Sequence, residues 1–206
     1  MPDLSLERHC HQRGLSRVAG VDEAGRGPLA GPVAAAAVVL PAAFSCPGLD
    51  DSKKLTAARR ERLFERLTGD DSVRWSLSYA EVEEIDRINI LRATHAAMAR
   101  AVEGLRLEVD FCLVDGLAVP GFRWPHEGVV KGDGRSLSIA AASVIAKVSR
   151  DRRMAVHAEE FPEYGFDRHK GYGTRQHLEA LQRQGPCAIH RRSFAPVAQR
   201  VLRLDG

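Results

Sequence analysis

Val21-Asp22-Glu23-Ala24-Gly25-Arg26-Gly27 is the stretch on which the reading of this chain turns. Two adjacent carboxylates follow an apolar run at residues 18–21, and a glycine-flanked arginine comes within three residues. Adjacent acids at a strand end repel one another unless a cation neutralises them. A Gly-Arg-Gly turn lets backbone N–H groups and a guanidinium come close to a phosphate. The combination points to divalent-metal chemistry on a phosphodiester. One geometric condition attaches to it. Consecutive strand residues face opposite sides of a sheet, so Asp22 and Glu23 share a site only if the strand bends or ends between them, for which Gly25 offers the means.

Outward from this stretch, residues 18–21 read as a first strand that turns at the glycines. Residues 32–40 are almost wholly apolar and read as a second strand, buried on both faces. Residues 49–55 form a polar loop, after which Thr56 caps a helix over residues 57–67 with Leu63, Phe64 and Leu67 turned inward. Residues 69–72 break the chain and residues 73–80 alternate as a third strand. Ile88, Leu91, Met98, Val102 and Leu105 recur at helical spacing, which predicts one helix over residues 88–105. Residues 111–114 form a short buried strand ending at Asp115-Gly116. Residues 138–161 make a long helix whose first half, rich in Ala and Ser, predicts close approach to whatever it covers; residues 176–183 make another. Strands and helices without repeats or linkers predict one α/β layer structure, with the helix-rich end as an appendage on the sheet.

Bulk properties narrow the class. A chain of 206 residues with 44% apolar content supports one domain with a substantial core. The longest apolar stretch, residues 28–44, is interrupted by Gly31, Pro32 and Pro41, which argues against a membrane span. The first nine residues lack a basic start followed by an apolar core, which argues against secretion. Cys10, Cys46, Cys112 and Cys187 are scattered without a Cys-x-x-Cys pair, so neither a zinc site nor a disulfide framework is indicated, and a cytoplasmic setting fits. Cys112 reads as a small core residue. The net charge of +3 says little, but residues 1–130 carry 16 Lys+Arg against 19 Asp+Glu while residues 131–206 carry 14 against 8. A basic final third beside upstream acids fits a nucleic-acid enzyme, although an ordinary solvated surface gives the same balance.

Four acids stand out by context: Asp22, Glu23, Asp115 in Leu113-Val114-Asp115-Gly116, and Asp133 in Lys131-Gly132-Asp133-Gly134. A carboxylate at a strand terminus is rigid yet open to solvent. Mg²⁺ takes oxygen ligands and keeps several waters, so two or three carboxylates plus phosphate oxygens complete its shell. Two such ions about 4 Å apart activate water and stabilise the leaving oxygen. Taken singly, Asp115-Gly116 reads as a turn, Asp133 as a turn or cap, and Glu23 as a surface residue. The coincidence of all four carries the inference.

These residues also carry a resemblance. The motifs Gly20-Val21-Asp22-Glu23-Ala24-Gly25-Arg26-Gly27, Asp51-Ser52-Lys53-Lys54-Leu55, Val114-Asp115-Gly116, Lys131-Gly132-Asp133, the run from Ser138 to Asp151, His169-Lys170-Gly171-Tyr172-Gly173-Thr174 and His190-Arg191-Arg192-Ser193-Phe194 stand in order. In them the chain resembles the ribonuclease HII (type 2 ribonuclease H) family along nearly its whole length. The resemblance implies a ribonuclease H-like fold, a five-stranded mixed sheet flanked by helices, as one catalytic domain over residues 1–206 with a basic C-terminal helical segment from about residue 152. It implies that Asp22, Glu23, Asp115 and Asp133 are catalytic metal ligands for two Mg²⁺ or Mn²⁺ ions. The implied reaction is endonucleolytic hydrolysis of RNA in RNA–DNA hybrids and 5′ to single ribonucleotides in duplex DNA, leaving 3′-hydroxyl and 5′-phosphate ends. It also implies that Gly25, Arg26, Gly27 and Tyr172 sense the 2′-hydroxyl, the group that separates RNA from DNA.

Lesser candidates surround this set. Lys53 and Lys54 contact a backbone phosphate or are simply solvated. Lys170 and His169 flank Tyr172 and sit near substrate. Lys147 and Asp151, four apart, pair structurally. His190-Arg191-Arg192 lines a groove or covers surface. No histidine pair has metal spacing, and no Gly-x-x-x-x-Gly-Lys-Ser/Thr loop is present. The expectation is a cytoplasmic monomer acting on RNA–DNA hybrid and ribonucleotide-containing duplex, with protein partners unknown. Two rivals stay open: a related nuclease that cuts DNA without ribose, and a non-catalytic binding module, for which the 6% aromatic content is low.

Overall fold

The computed structural model describes residues 1–52 and 54–204. Its sheet has five strands, β1 (Val18–Ala24), β2 (Val33–Val39), β3 (Arg74–Ala80), β4 (Phe111–Asp115) and β5 (His126–Val129), in the order β3-β2-β1-β4-β5. The β1–β2 and β2–β3 pairs are antiparallel, whereas β1–β4 and β4–β5 are parallel. The sheet is therefore mixed, as expected. β5 has no apolar alternation in His126-Glu127-Gly128-Val129, and residue-level reading gave no strand there.

Helices α1 (Ser5–Gln12), α2 (Ala57–Gly69), α3 (Val82–Ile88), α4 (Ile90–Gly104), α5 (Leu137–Glu160), α6 (Phe166–His169), α7 (Arg175–Gln184) and α8 (Ala195–Leu204) complete the architecture. One apolar layer joins Ala36 and Val38 of β2 to α2 and α5, and the other joins Val21, Ala35 and Ala37 to α4. The continuous apolar run of β2 is what a strand with both faces covered requires. The small residues of α5 do bring it close. A methyl group on Gly20 would lie 2.2 Å from the Ser138 carbonyl carbon, so only glycine lets the start of α5 rest on β1.

The predicted Thr56 cap is present, with its side chain accepting from Arg59 N–H, and Leu63 and Leu67 are buried. Cys112 is fully buried, and burial pushes its thiol up to about 12. Two expectations are corrected here. The helix expected over residues 88–105 is α4, but it starts only at Ile90, because Asn89 takes a left-handed φ of 70° and caps it by accepting from Arg92 N–H, while Ile88 closes the separate helix α3. Leu91, one residue into α4, is 48% exposed and not a core position. α1 also escaped the sequence reading. Its buried Glu7 accepts from the hydroxyls of Ser136 and Ser138 and from Ser138 N–H, fixing the first turn of α5. Among the described residues no helix is long and apolar enough to cross a membrane.

Candidate active site

The sheet opens where the acids sit. The β1–β4 ladder stops at Val21↔Val114, while β1 continues to pair with β2 through Asp22↔Ala36, Glu23↔Ala35 and Ala24↔Ala34. Asp22 and Glu23 thus follow the last β1–β4 pair, and Asp115 ends β4 beside them. Carboxyl ends of adjacent parallel strands are where open α/β sheets hold their ligands.

The condition set on Asp22 and Glu23 is not met. The strand neither ends nor bends between them. Asp22 is buried and takes a hydrogen bond from Ser143 of α5, on one face of the sheet. Glu23 lines a cleft of about 360 Å³ on the α4 face, with Arg26, His95, Met98 and Asp115. The acids are nonetheless coupled electrostatically. Burial, followed by the charges of Glu23 and Asp115, raises the Asp22 carboxyl well above the usual carboxylate range. The Ser143 hydrogen bond and the N–H of Glu23, 2.7 Å from Asp22 Oδ1, oppose that rise. A carboxylate made unfavourable by its acidic neighbours is the environment a hard cation relieves.

Asp133 arrives by a separate route. Residues Gly132–Gly134 form a single 3₁₀ turn ahead of α5, entered through Lys131 at a left-handed φ of 55°. Gly132 N–H donates to Asp115 Oδ1 at 2.7 Å, tying this turn to the end of β4 and putting buried Asp133 next to that junction. Among the described residues, no three His, Cys, Asp or Glu side chains form a ready-made cation cage.

The glycine turn lies against the Tyr172 loop. Leu29 N–H donates to Gly171 O at 2.8 Å, and a methyl group on Gly27 would stand 3.6 Å from Tyr172 Cε1. Tyr172 is 46% exposed and Arg26 and Gly27 are exposed, so the two elements present one surface. Arg26 Nη1 pairs with Glu23 Oε1 at 3.4 Å. Gly25 has a φ of 97°, and a methyl group there would meet Arg150 Nε at 1.9 Å. Its glycine is demanded by the protein's own packing, not only by a phosphate.

Other predicted residues fall as follows. Lys53 lies outside the described residues. Lys54 is exposed and paired with Asp50 at 3.4 Å. Ser52, in the same motif, is buried and shares a 2.9 Å hydrogen bond with Ser143, so the lysine loop is anchored to the residue that holds Asp22. Lys170 is half-buried with a left-handed φ of 51°, and Lys147 pairs with Asp151 at 2.7 Å.

His190 and Arg191 correct the expectation that they line a groove or cover the surface, since both are buried; His169, beside Tyr172 in the chain, is buried as well. His169 Nε2 meets Tyr164 O at 2.8 Å and Nδ1 accepts from Gly171 N–H. His190 Nδ1 accepts from Cys187 N–H, His190 Nε2 meets His177 Nε2 at 3.0 Å, and His177 Nδ1 meets Tyr172 O at 2.9 Å. Since Tyr172 O can only accept, His177 donates from Nδ1 and receives from His190, which fixes both tautomers as neutral. Residue-level reading missed Ser143, His177 and the burial of Arg150. One signal for Arg150 was legible: it follows Ala142 and Ala146 and precedes Met154 at four-residue steps on the buried stripe of α5.

Known proteins resemble the chain along most of its length. The family profile described as ribonuclease HII matches residues 19–197. A ribonuclease HII of Rhodospirillum rubrum is 56% identical over 207 residues, covering 98% of this chain and 93% of that one. A ribonuclease HII of Desulfitobacterium hafniense is 53% identical over 198 residues, covering 96% and 76%. Among solved structures, ribonuclease H2 from Pyrococcus horikoshii OT3 aligns with a TM-score of 0.74 and 26% identity over 92% of this chain and 99% of that one. Bst-RNase HIII in complex with Mn²⁺ shares the fold with a TM-score of 0.73 at 18% identity, over 94% and 71%. The chain belongs to the ribonuclease HII family, hydrolases that act on RNA in RNA–DNA hybrids.

Proposed function

We propose that this enzyme cleaves the RNA strand of RNA–DNA hybrids and cuts 5′ to single ribonucleotides embedded in duplex DNA, with Asp22, Glu23, Asp115 and Asp133 holding divalent cations. The observation that carries this reading is the mutual repulsion of Asp22, Glu23 and Asp115 at the ends of two parallel strands, beside a glycine turn packed on an exposed tyrosine. The donor set is all oxygen, which suits Mg²⁺ or Mn²⁺. When bound, such ions supply an activated water and stabilise the departing 3′-oxygen, giving 3′-hydroxyl and 5′-phosphate ends.

The chain's own residues do the rest. Ser143 fixes Asp22 in place, and Gly132 N–H fixes Asp115. The backbone of Gly25, Arg26 and Gly27 faces the sugar at the junction, and the Tyr172 ring packs against it, so that a 2′-hydroxyl is felt without any base being read. Lys170 and Lys53 neutralise backbone phosphates. The whole chain works as one catalytic unit, a monomer in the cytoplasm, where its four unpaired cysteines stay reduced.

The test is one gel. A duplex with a single ribonucleotide is incubated beside an all-DNA duplex, with Mg²⁺, Mn²⁺ or chelator alone. Cleavage of the first substrate only, 5′ to the ribonucleotide and only with metal, is expected. Asp22→Asn abolishes it while retaining hybrid binding. Cutting of the all-DNA duplex, or full activity in Asp22→Asn, defeats the reading.

A further inference from the structure

Arg150 and Arg191 are 1% and 0% exposed, yet among the described residues neither has an ion-pair partner. Buried guanidiniums normally face carboxylates. Here every hydrogen bond they make goes to a main-chain carbonyl. Arg191 donates to Gly25 O at 2.6 Å, Arg26 O at 2.9 Å and Gly31 O at 2.8 and 2.9 Å. Arg150 donates to Pro32 O at 2.9 Å, Ala30 O at 3.2 Å and Lys170 O at 3.1 Å. Arg191 grips the two carbonyls of the glycine turn itself. Arg150 reaches from the segment after that turn to the residue two before Tyr172, and passes under Gly25, where only a missing side chain gives it room. Phe194 stacks on Arg191, its ring centroid 5.1 Å from the guanidinium carbon.

Two planar five-donor groups are a costly way to fill a core, and a fixed fork is what they add over any apolar residue. Their acceptors are confined to the two elements that make up the sugar-facing surface and the link between them. Resting on the function proposed above, we infer that Arg150 and Arg191 are positioning residues that set the gap between the Gly25-Arg26-Gly27 turn and the Tyr172 ring, and thereby the discrimination of ribose from deoxyribose. Neither touches substrate. A displacement of about 1 Å at such a surface is enough to cost on the order of 100-fold in rate.

The experiment measures binding, by fluorescence anisotropy in chelator, to a duplex with one ribonucleotide and to its all-DNA counterpart. Wild type, Arg191→Lys, Arg150→Lys, Tyr172→Ala and the double variants with Tyr172→Ala are compared, each below its own melting transition. Lysine keeps the charge and loses the fork. The expected result is a roughly 10-fold or greater loss of the ribose preference in each lysine variant, with all-DNA affinity unchanged and little further loss in the doubles, because both changes disable one surface. Lysine variants that keep the full preference, or whose losses add to that of Tyr172→Ala, overturn the inference. Collapse of both lysine variants also overturns it, since the arginines would then hold the fold and not the gap. Absence of any ribose preference in wild type would defeat the proposed function instead.

Discussion

Substituting alanine at Gly25 and at Gly27 separates scaffold from recognition within one three-residue turn. At Gly25 the backbone has a φ of 97°, where an L-residue pays about 1–2 kcal/mol. The new methyl group would sit 1.9 Å from Arg150 Nε and 2.3 Å from its Cδ, inside van der Waals contact. Arg150 has no free space to yield into, because its guanidinium is anchored to the carbonyls of Pro32, Ala30 and Lys170. Pushing it aside leaves buried carbonyls without a donor, at roughly 1–3 kcal/mol apiece. Strain plus one or two lost partners gives about 2–8 kcal/mol, which reaches into the range of a domain's whole stability. For a chain of this size that corresponds to a melting temperature lower by about 4–30 °C. At Gly27 the methyl group meets only Tyr172 Cε1, at the ordinary distance of 3.6 Å. Its stability should stay within about 0.5 kcal/mol of wild type, while kcat/KM on a single-ribonucleotide duplex falls, because the methyl group projects where the sugar docks. Thermal melts by circular dichroism and a cleavage time course read both effects. A Gly25→Ala protein that melts within 2–3 °C of wild type (about 1 kcal/mol or less) would refute the packing argument.

Three further outcomes follow from the same geometry. Asp22→Asn should melt higher than wild type in chelator at neutral pH, since it removes a buried charge that Glu23 and Asp115 oppose; an unchanged or lower melting point would mean the repulsion is not felt. His190 is held neutral by burial and by His177, its imidazole pulled down to about 4 against an ordinary value near 6.5. The unfolded chain therefore takes up that proton first, so stability should decline as pH falls from about 6.5 towards 4, by up to about 3 kcal/mol; urea melts across this range on wild type and His190→Gln test it, and identical slopes would sink the assignment. Met98→Ala should cost about 2–5 kcal/mol and Leu91→Ala less than about 0.5 kcal/mol, since Met98 is buried and Leu91 is 48% exposed; equal losses in urea would restore Leu91 to the core.

The fold was legible wherever apolar pattern and burial coincide. β2 reads as a doubly covered strand because seven consecutive small or branched apolar residues allow little else. The ends of β1 and β4 were legible through their acids. Asn89 hid the break between α3 and α4, because a left-handed asparagine leaves no trace in hydrophobic spacing. β5 hid because its pairing with β4 supplies order that its own four residues do not encode. The same holds for the site. Its four acids announce themselves by context, while Ser143, His177 and Arg191 act through partners distant in sequence. His190-Arg191-Arg192 looked like a surface run because charge normally seeks water. Only the carbonyls of Gly25, Arg26 and Gly31 explain why Arg191 does not.

The bond from Arg191 to Gly25 O spans 166 positions. At a synthesis rate of roughly 5–20 residues per second, on the order of 8–30 s pass between translation of the turn and translation of its clasp. The acids of β1 and β4 are long since made by then. On the function proposed above, a ribosome-bound nascent chain owns the carboxylates proposed to hold metal well before the clasp on its glycine turn can form, so selective cleavage would be a late property of the growing polypeptide.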